Sequence, residues 1–408
     1  MNIVDRFIAY AKMETTSDPM STSIPSTASQ LELAKVLEEQ LNAFGLLDVY
    51  TSEYGVVYAT LEKNVEHDVD CIGLIAHMDT SSDMSGKHVH PRLITNYDGS
   101  TIVLNEKEQI TMDPKMFPSL ERCIGKDLLV TDGTTLLGAD DKAGISIIMD
   151  LIQYYVEHPD VKHPTIKVIF TPDEEIGHGA DHVDVKKVDA DYAYTIDGAE
   201  INVISFENFN AASAKVHVQG NSIHPGSAKD KLLNASKLAM EFHMALPLDL
   251  DPAKTEGYEG FNHLTLFNGQ SEYATLEYII RNHSREKFEA QKQDFYAIQD
   301  AMNATYGKNT IKVDIEDSYY NMAELFKDHM YIVDDVRMVM QDMGIPVHYE
   351  PIRGGTDGAR LSNEGLLTPN LGTGGDNFHG KYEYLCIDEM KQMVEILKNV
   401  MTSKVENI

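Results

Sequence analysis

IKVIFTPDEE (166–175) decides the fold. Its first five residues are mostly β-branched or aromatic, a proline closes the run, and three consecutive acids follow. That pattern reads as a short buried strand whose end opens into a polar loop. The same arrangement recurs on either side. CIGLIA (71–76) runs into His77-Met78-Asp79, and YAYTI (192–196) runs into Asp197-Gly198. VVYATL (56–61) is a further strand candidate. GISIIMDLIQYYVEH (144–158) has a helical pattern, as do Leu33, Val36, Leu37, Leu41 and Phe44, with Gly45 placed to stop that helix. Strands alternating with helices imply an α/β fold, a mostly parallel sheet with flanking helices. In such sheets the loops at the carboxyl ends of the strands converge on one crevice, so distant residues can share a site there.

Near residue 208 the rhythm changes. Strand 212–220, helix 235–246, strands 261–269 and 273–283, a helix from 285 to 306 and strand 310–320 follow in turn. The order β-α-β-β-α-β is that of a ferredoxin-like α+β unit. From about 321 the α/β pattern resumes, with a long helix, the strand VHYEPI (347–352) and a final helix near 387–402. The expected organisation is a discontinuous α/β domain, 1–207 with 321–408, carrying an inserted α+β domain at 208–320. Short strands around Leu93–Leu104 predict an inserted hairpin. The Ser/Thr-rich stretch at 15–29 predicts a loop leading to a helix cap.

Composition excludes several classes. Thirty-four basic against 65 acidic residues give 34 − 65 = −31. That charge repels the phosphates of nucleic acid and the headgroups of anionic membranes, so neither is an expected partner. The opening MNIVDRFIAYAKMETTSD has no basic stretch before an apolar core and does not read as a secretory signal. No apolar run approaches the ~20 residues that span a bilayer. Cys71, Cys123 and Cys386 are few and far apart, which suggests a reducing cytoplasm without a disulfide framework.

Each motif has a bland reading beside a chemical one. His77-x-Asp79 sets an imidazole and a carboxylate on one side of an extended segment, where the acid can fix the ring's tautomer. Gly138-Ala139-Asp140-Asp141 puts two acids before a helix; one suffices as an N-cap, and a second can bridge two cations. Asp173-Glu174-Glu175 is the sharpest signal, because three adjacent carboxylates repel one another unless cations neutralise them. A two-metal peptidase needs one such carboxylate as ligand and another as general base, and neighbouring glutamates can divide the work. A solvated acidic loop is the plainer alternative. Asp197-Gly198 and His224-Pro225-Gly226 could be simple turns, His379 a lone loop histidine, and Arg353-Gly-Gly-Thr-Asp357-Gly an ordinary helix-starting loop. Two histidines with several carboxylates suit zinc or a similar divalent ion.

Taken together and in this order, His77-Met78-Asp79, Gly138-Ala-Asp140-Asp141-Lys142-Ala-Gly144, Glu174-Glu175, Asp197-Gly198, His224-Pro225-Gly226 and His379 resemble the aminoacylase/carboxypeptidase-like two-zinc metallopeptidases. Within them, the stretches Thr255–Phe261, Tyr319–Met322 and Arg353–Arg360 look like those of the bacterial tripeptide aminopeptidases. The resemblance implies two divalent ions, zinc foremost, bridged by Asp140. His77 and Asp197 would complete one site, Glu175 and His379 the other. It implies Asp79 as the orienter of His77 and Glu174 as the general base. It also implies His224 at the scissile carbonyl, and Arg353 with Arg281 on the carboxylate of a short peptide substrate. The implied function is removal of the N-terminal residue from short peptides, tripeptides above all. Alternatives are a related hydrolase of dipeptides or N-acyl amino acids, and a non-catalytic peptide-binding protein. A ferredoxin-like insertion offers edge strands, so a homodimer is a further expectation. The chain departs from the pattern at Asn262, Gln270-Ser271-Glu272 and Asn282-His283-Ser284, all within the insertion.

Overall fold

The computed structural model describes residues 1–406. The chain forms two compact units. The first comprises Met1–Phe206, Leu325–Glu350 and the chain from Thr356 onward; the second comprises Glu207–Glu324 with Pro351–Gly355. Among the described residues no helix is long and apolar enough to cross a membrane.

An eight-stranded sheet centres the first unit. Its order is Leu47–Thr51, Val57–Leu61, Ile166–Thr171, Ile72–His77, Tyr192–Gly198, Asn370–Gly372, Val203–Ser205 and His348–Tyr349. The four strands from Ile166–Thr171 to Asn370–Gly372 run parallel. Ile72–His77, second of these four, is buried along its whole length, as its unbroken apolar run requires. The helix Ala139–Glu157 packs on this strand and on the final helix Ile387–Glu406. Contact is close at Gly144, where a Cβ would lie 1.9 Å from the carbonyl oxygen of Ile196. Register does the rest. His77 pairs with Thr171 and Ile75 with Thr195, which brings the carboxyl ends of three strands to one level.

Two local expectations need correction. The segments near Leu93 and Leu104 do not pair with each other. Arg92–Ile94 joins the wholly buried strand Leu128–Val130, while Ile102–Asn105 pairs with Ile110–Met112 across a turn in which Gln109 adopts a positive φ. Burial of Leu128–Val130 draws the first strand away from its sequence neighbour. The helix Ser29–Phe44 begins at Ala28 without a side-chain cap; Thr27 instead donates its hydroxyl to the carbonyl of Thr16.

Four antiparallel strands build the second unit, ordered Phe261–Gly269, Tyr273–Asn282, Asn210–Gln219 and Ile311–Tyr319. Strict alternation of burial along Tyr273–Asn282 leaves one face for helices Ala235–Ala245 and Arg285–Tyr306. Phe242, Phe288 and Phe295 of these helices pack with Val216, Leu276 and Tyr278 of the sheet. Asn234 and Ser284 cap the two helices through the N–H groups of Lys237 and Lys287. The departures at Asn262 and Asn282 are linked here. Gln291 donates to Asn262 Oδ1 at 2.8 Å and accepts from Asn282 Nδ2 at 2.7 Å, so both asparagines serve one partly buried chain of amides.

Candidate metal centre

His77 ends its strand with its ring among oxygens. Nε2 lies 2.9 Å from Asp140 Oδ1 and 3.4 Å from Asp197 Oδ1. Nδ1 faces the carbonyl of Asp79 at 3.1 Å and its carboxylate at 3.3 Å. A proton on Nδ1 therefore has its acceptors in Asp79, and Nε2 is left for the acids. His379 sits on the loop after the short strand Gly375–Asp376, at a φ of +62°. Its Nε2 lies 2.9 Å from Glu175 Oε2 and 3.2 Å from Asp140 Oδ2. The donors of His77, Asp140 and Asp197 fall within 4.8 Å of one another, as do those of Asp140, Glu175 and His379. Asp140 belongs to both groups.

The two adjacent aspartates divide their work. Asp140 and Asp141 lie outside helical φ/ψ, and the peptide between them is cis. Asp141 Oδ1 accepts the N–H of Gly144 at 3.1 Å, which caps the helix, and its Oδ2 accepts the N–H of His77 at 3.2 Å. Asp140 is thereby free of capping duty. Asp79 also serves twice. Besides facing His77, its oxygens accept the N–H groups of Glu174 at 2.9 Å and Glu175 at 3.1 Å. Glu174 thus stands on a three-residue turn held from beneath by a buried carboxylate.

Negative charge dominates the electrostatics. Burial pushes the Glu174 carboxyl well above the usual range; the charges of Asp197, Asp357 and Asp79 add to this against the pull of His77. Burial likewise raises Asp197 to about 7, with His77 opposing. Asp140 goes the other way: burial alone would raise it, but hydrogen bonds with His379 and His77 hold it below the ordinary carboxylate range. Hydrogen bonds with Asp140 and Glu175 lift His379 to about 11. A cluster that draws protons so strongly onto its histidines carries more negative charge than it can neutralise. Glu175 Oε1 is buried and has no hydrogen-bond partner. Two imidazole nitrogens, shared carboxylates and an orphaned buried oxygen together fit a pair of divalent cations.

Two supporting residues escaped the sequence reading, and a third, Asp357, was read only as part of a helix-starting loop. Glu383 Oε2 accepts the N–H groups of Leu137 and Gly138 at 2.6 and 2.9 Å, and Oε1 accepts that of Asp140 at 3.1 Å. It fixes the loop that presents Asp140. A single acid between Tyr382 and the apolar run Tyr384–Ile387 was its one visible signal. Arg122 donates to Asp376 Oδ2 at 2.8 Å, to the carbonyl of Gly375 at 3.2 Å and to Glu389 at 3.1 Å, which anchors the strand leading to His379. Asp357 is buried and accepts the hydroxyl of Thr171 at 2.7 Å.

The second unit holds the other expected residues. His224 is exposed at the start of a short turn, and its Nδ1 accepts the N–H of Gly226. Arg281 donates from Nη1 to the carbonyls of Ala212 and Ile280 and lies over the Tyr319 ring. Arg353 has both Nη groups engaged, with the carbonyls of Gly257, Glu259 and Thr255 and the hydroxyl of Thr255.

Comparison with known proteins accords with this geometry. Residues 134–403 match the model of peptidase family M20/M25/M40. The chain belongs to that family. Peptidase T of Alkaliphilus oremlandii is 50% identical over 402 residues, covering 98% of each chain. Peptidase T of Clostridium perfringens is 50% identical over 397 residues, covering 97% of each. In fold, the M20 chain is similar to the aminopeptidase PepT of Bacillus cereus, with a TM-score of 0.79, 21% identity and coverage of 99% and 98%. It also resembles a dinuclear metal-binding peptidase of Bacillus subtilis, with a TM-score of 0.62, 14% identity and coverage of 100% and 98%. This M20 member is a metallopeptidase, and its cofactors are two divalent metal ions.

Proposed function

We propose that the chain is an aminopeptidase that releases the N-terminal residue from short peptides, tripeptides foremost, with zinc as both ions. His77, Asp197 and Asp140 Oδ1 would hold one ion, and Glu175, His379 and Asp140 Oδ2 the other. The observation that carries this is the bridging posture of Asp140, whose two oxygens face two different histidines at 2.9 and 3.2 Å. When bound, the ions supply Lewis-acid polarisation of the scissile carbonyl and of the attacking water. Glu174 takes the proton of that water and passes it to the leaving amine, a task suited to a carboxylate whose pKa burial has raised. Asp79 keeps His77 in one tautomer and Glu174 in place.

Substrate recognition falls in this reading to His224, Arg281 and Arg353. Among the described residues Arg281 engages Nη1, which leaves Nε and Nη2 for a substrate carboxylate, whereas Arg353 engages both Nη groups with carbonyls and the Thr255 hydroxyl and leaves Nε alone. Three free thiols support a cytoplasmic setting, and the strand Phe261–Gly269 at one edge of its sheet supports a homodimer.

Metal analysis combined with hydrolysis assays on tripeptides, dipeptides and N-acyl amino acids tests the proposal. Two zinc ions per chain and fastest release from tripeptides are expected. Equal or faster cleavage of N-acyl amino acids overturns the tripeptide reading, and two bound ions without hydrolysis of any peptide overturns the enzymatic one.

A further inference from the structure

Asp173 immediately precedes the base, at a φ of +57°, a region in which aspartate and asparagine are among the few tolerated side chains. Tolerance of φ explains the residue type but not its surroundings. The side chain is 3% exposed and takes three donors: the N–H of Ser26 at 2.7 Å, the hydroxyl of Ser26, and Nε2 of Gln30 at 2.7 Å. In return the N–H of Asp173 donates to Gln30 Oε1 at 3.0 Å. One amide thus reads both the backbone and the carboxylate of Asp173. Gln30 is fully buried, on the helix Ser29–Phe44. Ser26 Oγ in turn accepts the N–H of Asp18 at 2.9 Å.

These contacts grip the turn at the residue before Glu174, while Asp79 grips it at Glu174 and Glu175. The two clamps come from separate elements, one from the strand end at 77–79 and one from the Ser/Thr-rich segment and its helix. We propose that Asp173, Gln30 and Ser26 form a positioning unit for the Glu174 carboxylate. On this view the segment 15–29 serves the reaction as well as the fold. A side chain displaced by about 1 Å from its reactive geometry costs on the order of 100-fold in rate, so a turn anchored at one end alone would be a poor seat for a base.

The inference rests on the reading of Glu174 as base, and a double-mutant cycle separates the two. Asp173→Asn keeps size and tolerates the same φ, but its NH2 group must face a donor. In the zinc-loaded enzyme we expect kcat for a tripeptide to fall about 10–100-fold, with KM little changed and both metals retained. In the Glu174→Gln background the same substitution should cost little more, since the residue it positions is already disabled. An equal loss in both backgrounds, or near-normal kcat for Asp173→Asn beside an inactive Glu174→Gln, overturns the positioning role alone. Near-normal turnover by Glu174→Gln overturns the base assignment and this inference with it. Should Asp173→Asn fail to fold, Ser26→Ala removes a single donor and is read by the same cycle.

Discussion

The carboxylate of Asp79 lies 2.9 Å from the backbone nitrogen of Glu174, so the residue that faces the ring of His77 also seats the proposed general base. Asp79→Asn keeps the shape but puts an NH2 group where either an N–H of the turn or the His77 ring must be accepted. We expect kcat to fall about 10–100-fold and the affinity for the ion at His77 to weaken by a similar factor. Steady-state kinetics and a competitive chelator titration check both.

Glu174→Gln should retain two metals and lose about 10²–10⁴-fold in kcat, the usual share of a positioned acid–base group. Metal content beside single-turnover rates is the measurement. A rate near that of the parent enzyme would remove Glu174 from the mechanism.

Asp140→Ala deletes the carboxylate common to both triads. The expected outcome is a metal content below two per chain at zinc levels that saturate the parent, with activity lost in step. Asp141 and Gly144 preserve the helix start, so the circular dichroism spectrum should change little.

Chelation should reverse the protonation of the ligands. Without cations, Asp140 and Glu175 hold His379 up at about 11, and Asp197 and Asp140 hold His77 above its usual value against the effect of its burial. Rebinding of zinc at pH 8 should therefore release protons, seen as a buffer-dependent enthalpy in calorimetry. Zinc affinity should rise with pH across this range, since protons and metal compete for the same nitrogens.

Lys142, two residues beyond Asp140, supplies a stability test on a side chain that is not itself a ligand. It is 2% exposed, donates to the carbonyl of Met13 at 2.7 Å, and is lowered by burial to about 8, against the pull of Glu383, Asp79 and Glu14. Between pH 8 and 10.5 the unfolded chain then holds more protons than the folded one, so this residue's contribution to stability rises with pH through that window. Below pH 8 its burial penalty is fully present. Urea titrations at pH 7.5 and 10 should show the gain, and Lys142→Met should abolish it.

How much of this was legible in the sequence depended on distance along the chain. The strand ends announced themselves because apolar runs stop abruptly at His77, Asp173 and Asp197, and the change in element order near 208 raised the expectation of an insertion. Asp140-Asp141 showed two acids where one cap suffices, but only coordinates reveal that Asp141 caps while Asp140 faces the histidines. Glu383 and Arg122 left almost no trace, since the partners through which they support the site lie 243 and more residues away. The strand Arg92–Ile94 was misassigned for a related reason. Local pattern shows that a strand exists, while its partner is chosen by whichever distant segment offers more buried surface.

Arg353 carries a warning for anyone engineering substrate length. Its four Nη hydrogens are committed to Thr255, Gly257 and Glu259, and its guanidinium lies over Phe209 and Phe261. Alanine at this position would unfasten a loop as well as remove a cation. Lysine would keep the cation yet could not span the same carbonyls. On the proposed reading, libraries aimed at longer or shorter peptides are better seeded at Arg281, with Arg353 kept as the buckle of its own loop.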